Sequence, residues 1–311
     1  MDDELGLDVS SQYLHVLPSL YNRLVQLDCC NNYLKELPEL PKTLTFLRCY
    51  NNQLTRLPPL PKLETLICDK NELTQLPPLP DTLTTLYCCS NKLTTLPPLP
   101  NLIHLYCARN KITHLDLPDS LKYLYCATNE LVALELPTHL LALYCNHNRL
   151  ESLELNETLH HVDCANNALT HIVFPEYLTH INVSHNRIET LSPLPETILT
   201  LDIRHTEIHR CFDIPDSLEI IFTYGTSLCD KVMSYLKIDH PMSNSVVLRT
   251  TFEKIEDIEE RFRYSYYCLK VKEKALKWIW RIREKLAREH YHPDRLIEWL
   301  SVHGYDSLES W

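Results

Sequence analysis

Leu and polar residues repeat along this chain with a period longer than that of any helix or strand. LVQLDCCNNYL ends at Leu34, LTFLRCYNNQL at Leu54, LETLICDKNEL at Leu73 and LTTLYCCSNKL at Leu93. LIHLYCARNKI, LKYLYCATNEL, LHHVDCANNAL and LTHINVSHNRI keep the same eleven-position frame, as does LALYCNHNRL with Leu140 before it. Apolar residues fall at positions one, four, six and eleven, and Asn at nine. That Asn recurs as Asn32, Asn52, Asn71, Asn91, Asn110, Asn129, Asn148, Asn167 and Asn186, in steps of 19 or 20 residues. Gln12, Thr206 and Thr226 keep the register with the Asn replaced, so twelve turns run from about residue 4 to 228. A unit this short cannot bury its own apolar face, so the turns must stack. Each is predicted to place a short strand at positions four to six, about 4.8 Å from the strands of its neighbours.

Each slot has a physical role. Cys fills position six at Cys29, Cys49, Cys68, Cys88, Cys107, Cys126, Cys145 and Cys164, and then Val183 and Ile203 take it over. A slot that accepts Val and Ile wants a small apolar group, so these Cys read as core. The Asn at position nine sits where the chain bends and turns backbone groups inward. An amide both donates and accepts, so it can satisfy N–H and C=O groups together. Losing such a partner costs roughly 1–3 kcal/mol. Thr206 and Thr226 can do only part of this, so the last turns are expected to be less regular. The second half of each early turn reads LTRLPPLPK, LTQLPPLPDT or LTTLPPLPN. Pro fixes φ and removes a donor, so these segments cannot be helical and should be extended and polyproline-like. From Ile112 the connectors THLDLPDS, VALELPTH and ESLELNET are one residue shorter, which accounts for the steady 19-residue steps.

The LxxLxCxxNxL frame joined to LPPLP connectors resembles the short leucine-rich repeat family, in particular bacterial secreted effectors of the YopM and IpaH type. The match covers roughly residues 7–228. With Cys in the Val slot and a different terminal segment, the chain is closest in character to leucine-rich repeat proteins of giant DNA viruses. The resemblance implies a leucine-rich repeat solenoid with parallel β-strands on a concave face and a recognition role for that face. IpaH-like members add a ligase domain with a Cys-x-Asp nucleophile. Here Cys229 is followed directly by Asp230, and only about eighty residues follow the array.

Composition narrows the alternatives. Three Gly in 311 residues leave no Gly-rich phosphate loop, and the bending falls to Asn and Pro. The N-terminus MDDELGLDVS lacks an apolar core and no run of about 18 apolar residues occurs, so a cytoplasmic, non-membrane protein is expected. Thirteen Cys then read as reduced thiols. The net charge is -11, and residues 1–249 hold 29 acidic and 18 basic side chains while residues 250–311 hold twelve of each. Acidity confined to the array argues against nucleic acid and points to a basic or aromatic-complementary partner. No nucleophile, general base, metal or cofactor constellation stands out, so a non-enzymatic scaffold is expected.

Function in such an array lives on the variable strand positions. Position five reads Asp28, Arg48, Ile67, Tyr87, Tyr106, Tyr125, Tyr144, Asp163, Asn182, Asp202 and Phe222. Four consecutive Tyr predict a stripe about 14 Å long. Position three adds Phe46, His104, Tyr123, His161 and His180 beside it, and position eight adds His147, His185 and His205. These aromatics form the candidate surface for a protein or peptide, because Tyr is enriched at binding hot spots. Stacking within the ladder is an alternative reading of the same residues. Zinc capture or pH sensing by columns such as His160, His161 and His180 is a further one.

After residue 228 the period breaks. Residues 229–311 are predicted to form an α-helical C-terminal cap: an irregular stretch, a long helix opening near Thr250 with Glu253 at capping-box spacing, and a short helix before Gly304. Trp278, Trp280, Trp299 and Trp311 all lie there. His292, Pro293 and Asp294 match the tripeptide of J-domain cochaperones, which gives an adaptor or cochaperone as the alternative function. A structural virion or assembly component is another. The oligomeric state is left open.

Overall fold

The computed structural model describes residues 6–209, 215, 217–223, 225–226 and 246–247, all within the first of the chain's two units, Met1–Arg249. Thirteen strands form one sheet in chain order: β1 (Gly6–Asp8), β2 (Gln26–Asp28), β3 (Phe46–Arg48), β4 (Thr65–Ile67), β5 (Thr85–Tyr87), β6 (His104–Tyr106), β7 (Tyr123–Tyr125), β8 (Ala142–Tyr144), β9 (His161–Asp163), β10 (His180–Asn182), β11 (Thr200–Asp202), β12 (Ile220–Phe222) and β13 (Val246–Val247). The first twelve are parallel and enclose eleven complete turns. The last pairs antiparallel with β12, Ile220 opposite Val247. Among the described residues there is no helix, so the return segments are turns and extended chain, as their Pro content requires.

The strands occupy positions three to five, one residue earlier than expected. The Cys at position six lies just beyond each strand, yet its backbone continues the ladder: the Cys49 N–H donates to the Ile67 carbonyl at 2.8 Å and that of Cys107 to Tyr125 at 2.8 Å. The eight Cys of this column, with Val183 and Ile203, are completely buried. Leu at positions one, four and eleven surrounds them, so one continuous apolar core runs the length of the array. Full burial of one such Leu contributes about 2 kcal/mol.

The bend after each strand is held as the Asn spacing implies. Nδ2 of Asn129 donates to the carbonyls of Cys126 in its own turn and Cys107 in the turn before, both at 3.0 Å. Its Oδ1 accepts from the Ile112 N–H at 3.0 Å. Asn32, Asn52, Asn71, Asn91, Asn110, Asn148, Asn167 and Asn186 repeat this, each tying its turn to the preceding one. Thr206 and Thr226 bond only within their own turns, to Ile203 at 2.7 Å and Thr223 at 2.7 Å. The loss does not reach the strands, because β10, β11 and β12 keep one register.

Two devices were not visible in the repeat pattern. The residue before the Asn is left-handed in every turn through His205, with φ between 51° and 56°, and Gly fills the slot only at Gly225. The bend therefore rests on position eight, and the scarcity of Gly means that non-Gly residues bear a disfavoured backbone there. Secondly, a tight turn precedes most strands, as where the Leu44 N–H donates to Pro41 and Leu83 to Pro80. In six turns a hydroxyl in this stretch donates to the previous turn: Thr43, Thr82, Ser120, Thr158, Thr197 and Ser217 reach Leu24, Leu63, Leu102, Leu140, Leu178 and Ile198 at 2.7–2.8 Å. This hydroxyl ladder ties successive turns together where the chain approaches each strand.

The expected C-terminal helices, the Cys229–Asp230 pair, His292–Pro293–Asp294 and the four Trp lie outside the described residues. Of the stretch expected to open the cap, β13 is the described part.

Candidate functional site

Because the strands are in register, the side chains at one position form a column across the concave face. Position five aligns Tyr87, Tyr106, Tyr125 and Tyr144 on β5 to β8. Their rings stack face to face with centroids 4.2, 4.4 and 4.3 Å apart and planes within 15° of parallel. Ile67 precedes the ladder and Asp163 follows it in the same column. The π faces are thus occupied by neighbouring rings, and what the half-buried phenols offer outward is ring edge and hydroxyl.

Burial pushes the Tyr106 and Tyr125 hydroxyls far above the ordinary phenol range, helped by the neighbouring Tyr. Tyr87 and Tyr144 are raised for the same first reason. All four stay neutral, and their hydroxyls bond in pairs along the ladder, Tyr106 with Tyr87 and Tyr125 with Tyr144.

Position three gathers its residues less completely. His104 stacks on Tyr123 at 4.9 Å and His161 on His180 at 4.5 Å. Ala142 separates Tyr123 from His161, so these are two pairs and not one stripe. Phe46 stands apart, with Thr65 and Thr85 between it and His104. In position eight His185 stacks on His205 at 4.4 Å. Among the described residues no group of three or more His, Cys, Asp or Glu could hold a metal ion, and all ten described Cys are free thiols.

Charge is distributed unevenly in the later turns, which net charge could not reveal. The return segments 112–121, 131–140, 150–159, 169–178 and 188–198 carry nine acidic residues and no Lys or Arg. Near the Tyr ladder the exposed charges are mainly basic: Lys70, Lys92, Arg109, Lys111, Lys122 and Arg149. Two of them are paired, Lys92 with Glu72 at 2.9 Å and Arg149 with Glu130 at 3.0 Å. Burial raises the carboxyls that border the ladder, Asp69 to about 6 and Asp163 to about 7. Asp69 accepts from the Cys89 N–H at 2.6 Å and Asp163 from Ala165 at 3.1 Å. Toward the array ends Asp28 pairs with Arg48 at 2.8 Å and Asp202 with Arg204 at 2.6 Å.

Residues 42–81 and 81–119 match the family pattern described as leucine rich repeats, two copies. No curated protein matches the chain. Among solved structures, YopM, a leucine-rich effector protein from Yersinia pestis, is 31% identical over 68% of this chain and 69% of its own, with a TM-score of 0.62. YopM from Yersinia enterocolitica WA-314 is 28% identical over 70% of this chain and 64% of its own, with a TM-score of 0.53. The functional domain of InlJ from Listeria monocytogenes, described as including a cysteine ladder, is 31% identical over 66% of this chain and 49% of its own, with a TM-score of 0.63. The chain thus spans about two thirds of the two YopM structures and about half of the InlJ domain. With the repeat frame, the parallel sheet and the buried Asn column all in agreement with these likenesses, the chain belongs to the leucine-rich repeat family.

Proposed function

We propose that this chain is a non-enzymatic scaffold that captures a protein or peptide on its concave face. The observation that carries the reading is the Tyr87–Tyr106–Tyr125–Tyr144 ladder: a contiguous, rigid row of neutral hydroxyls and ring edges on the one face whose residues vary freely between turns. Aromatic edges with a polar tip suit partner binding, since they bury large area at little entropic cost. His104, Tyr123, His161 and His180 extend the surface to one side, and Phe46 marks its far end. Likeness to YopM, an effector protein, supports a recognition role and names no partner. Stacking also stabilises the sheet, and the two roles are compatible.

The test is a crosslinking pull-down from the native cell with the chain and two variants. Tyr106→Ser with Tyr125→Ser removes ring and hydroxyl and should abolish capture. Tyr106→Phe with Tyr125→Phe keeps the stack and should weaken it. Undiminished capture by a folded Ser variant, its fold checked by circular dichroism, would sink the reading.

A further inference from the structure

The concave-face reading leaves the chemistry of the partner open, and the acidity of the array as a whole points toward a basic one. The local geometry points the other way. Arg109 and Lys111 follow Tyr106 by three and five residues, where the chain leaves β6, and Lys122 enters β7 on the opposite flank of the ladder. All three are exposed. Unlike Lys92 and Arg149, none has a carboxylate within salt-bridge distance among the described residues. Three cations without a salt-bridge partner therefore bracket the middle of the Tyr ladder, while Asp69 and Asp163, which border it, accept from backbone N–H groups.

We propose that this surface takes an acidic, extended peptide segment, whose carboxylates pair with Arg109, Lys111 and Lys122 while the segment lies along the ring edges of the Tyr ladder. This rests on the concave-face reading above and gives it a ligand class. The ladder spans three strand spacings, about 14 Å, the length of roughly four extended residues. A carboxylate suits such cations, because it accepts charge-assisted hydrogen bonds from them. A single-stranded nucleic acid is also anionic, but its bases need open aromatic faces. Here every ring face in the ladder meets a neighbour at 4.2–4.4 Å or is closed by Ile67 or Asp163 in the column.

Fluorescence anisotropy with the full chain distinguishes these outcomes, using a labelled Glu/Tyr random copolymer, poly-L-lysine and a twenty-residue oligo-dT. The copolymer should bind, weaken at 300 mM NaCl relative to 50 mM, and lose about tenfold in affinity in Arg109→Glu with Lys111→Glu. Both residues are exposed, so the melting temperature should hold, and Arg109→Gln with Lys111→Gln should lose less. No binding of the copolymer, or binding indifferent to the charge reversal, overturns the proposal. Poly-L-lysine held by the parent and released by Tyr106→Ser with Tyr125→Ser would overturn it while leaving the concave-face reading intact. Preferential oligo-dT binding lost in the charge reversal would overturn both.

Discussion

At the scale of the residue, position eight carries a cost in every turn through His205. Thr128 is β-branched and sits at φ 55°, a conformation that its side chain disfavours. Thr128→Gly should therefore stabilise the array by about 1 kcal/mol, the left-handed penalty less the greater freedom Gly gains on unfolding. An unchanged or lower urea midpoint would contradict this. Gly225 is the opposite case, since a Cβ there would collide with the His205 ring, so Gly225→Ala should destabilise. Asp163 gives a pH signature. Burial lifts its carboxyl to about 7, so the folded state keeps a proton that the unfolded chain has released. The contribution is fully present below the ordinary carboxylate range and is lost as pH rises through about 7. In the next turn Asn182 fills the same slot, its Oδ1 accepting from the Ser184 N–H at 3.0 Å as Asp163 accepts from Ala165. Asp163→Asn should consequently be the more stable protein at pH 8, on the order of 2 kcal/mol, with the gain vanishing near pH 3. Parallel stability–pH curves for the two proteins would refute it.

Among elements, the Cys column behaves as one apolar strip. Cys126→Val should cost less than about 1.5 kcal/mol, because Val183 occupies that slot unaided. Cys126→Ser buries a hydroxyl and should cost about 1–3 kcal/mol more. Burial pushes the Cys107 thiol up to about 12 and raises the others in the column likewise. Raised thiols favour the folded state while protonated and withdraw that support as pH climbs past the free-thiol value. Stability should then fall above about pH 9. Iodoacetamide at pH 8, read by mass spectrometry, should leave these Cys unlabelled until urea unfolds the chain. The repeat frame made this column legible from sequence, since Val and Ile substitute within it. It did not disclose the hydroxyl ladder of Thr43, Thr82 and Ser120, whose spacing is that of ordinary surface polarity until the turns stack.

At the scale of the whole array, the described residues form a sheet with two ends, and open edges invite pairing with another chain. β13 covers the outer edge of β12 by antiparallel backbone pairing. Val246→Pro with Val247→Pro removes the donors on that segment and should expose the edge. Light scattering that rises with concentration in this variant, and not in the parent, is the expected result. A variant that stays unassociated would show that the edge is protected by other means.

Sequence alone determined the solenoid, the slot each residue type fills and the columns that meet on the concave face. Those follow from period, and period survives in one dimension. Three things were decided only by the tertiary structure. The left-handed residues at position eight carry no compositional mark, because Lys, Thr, Arg and His stand there without glycine. The hydroxyl ladder that includes Thr43, Thr82 and Ser120 forms only once the turns stack. Net charge, finally, is a sum over faces that point in opposite directions. Stacking the turns separates the acidic return segments after residue 112 from the basic flanks of the Tyr ladder, and a partner meets one face, not the sum.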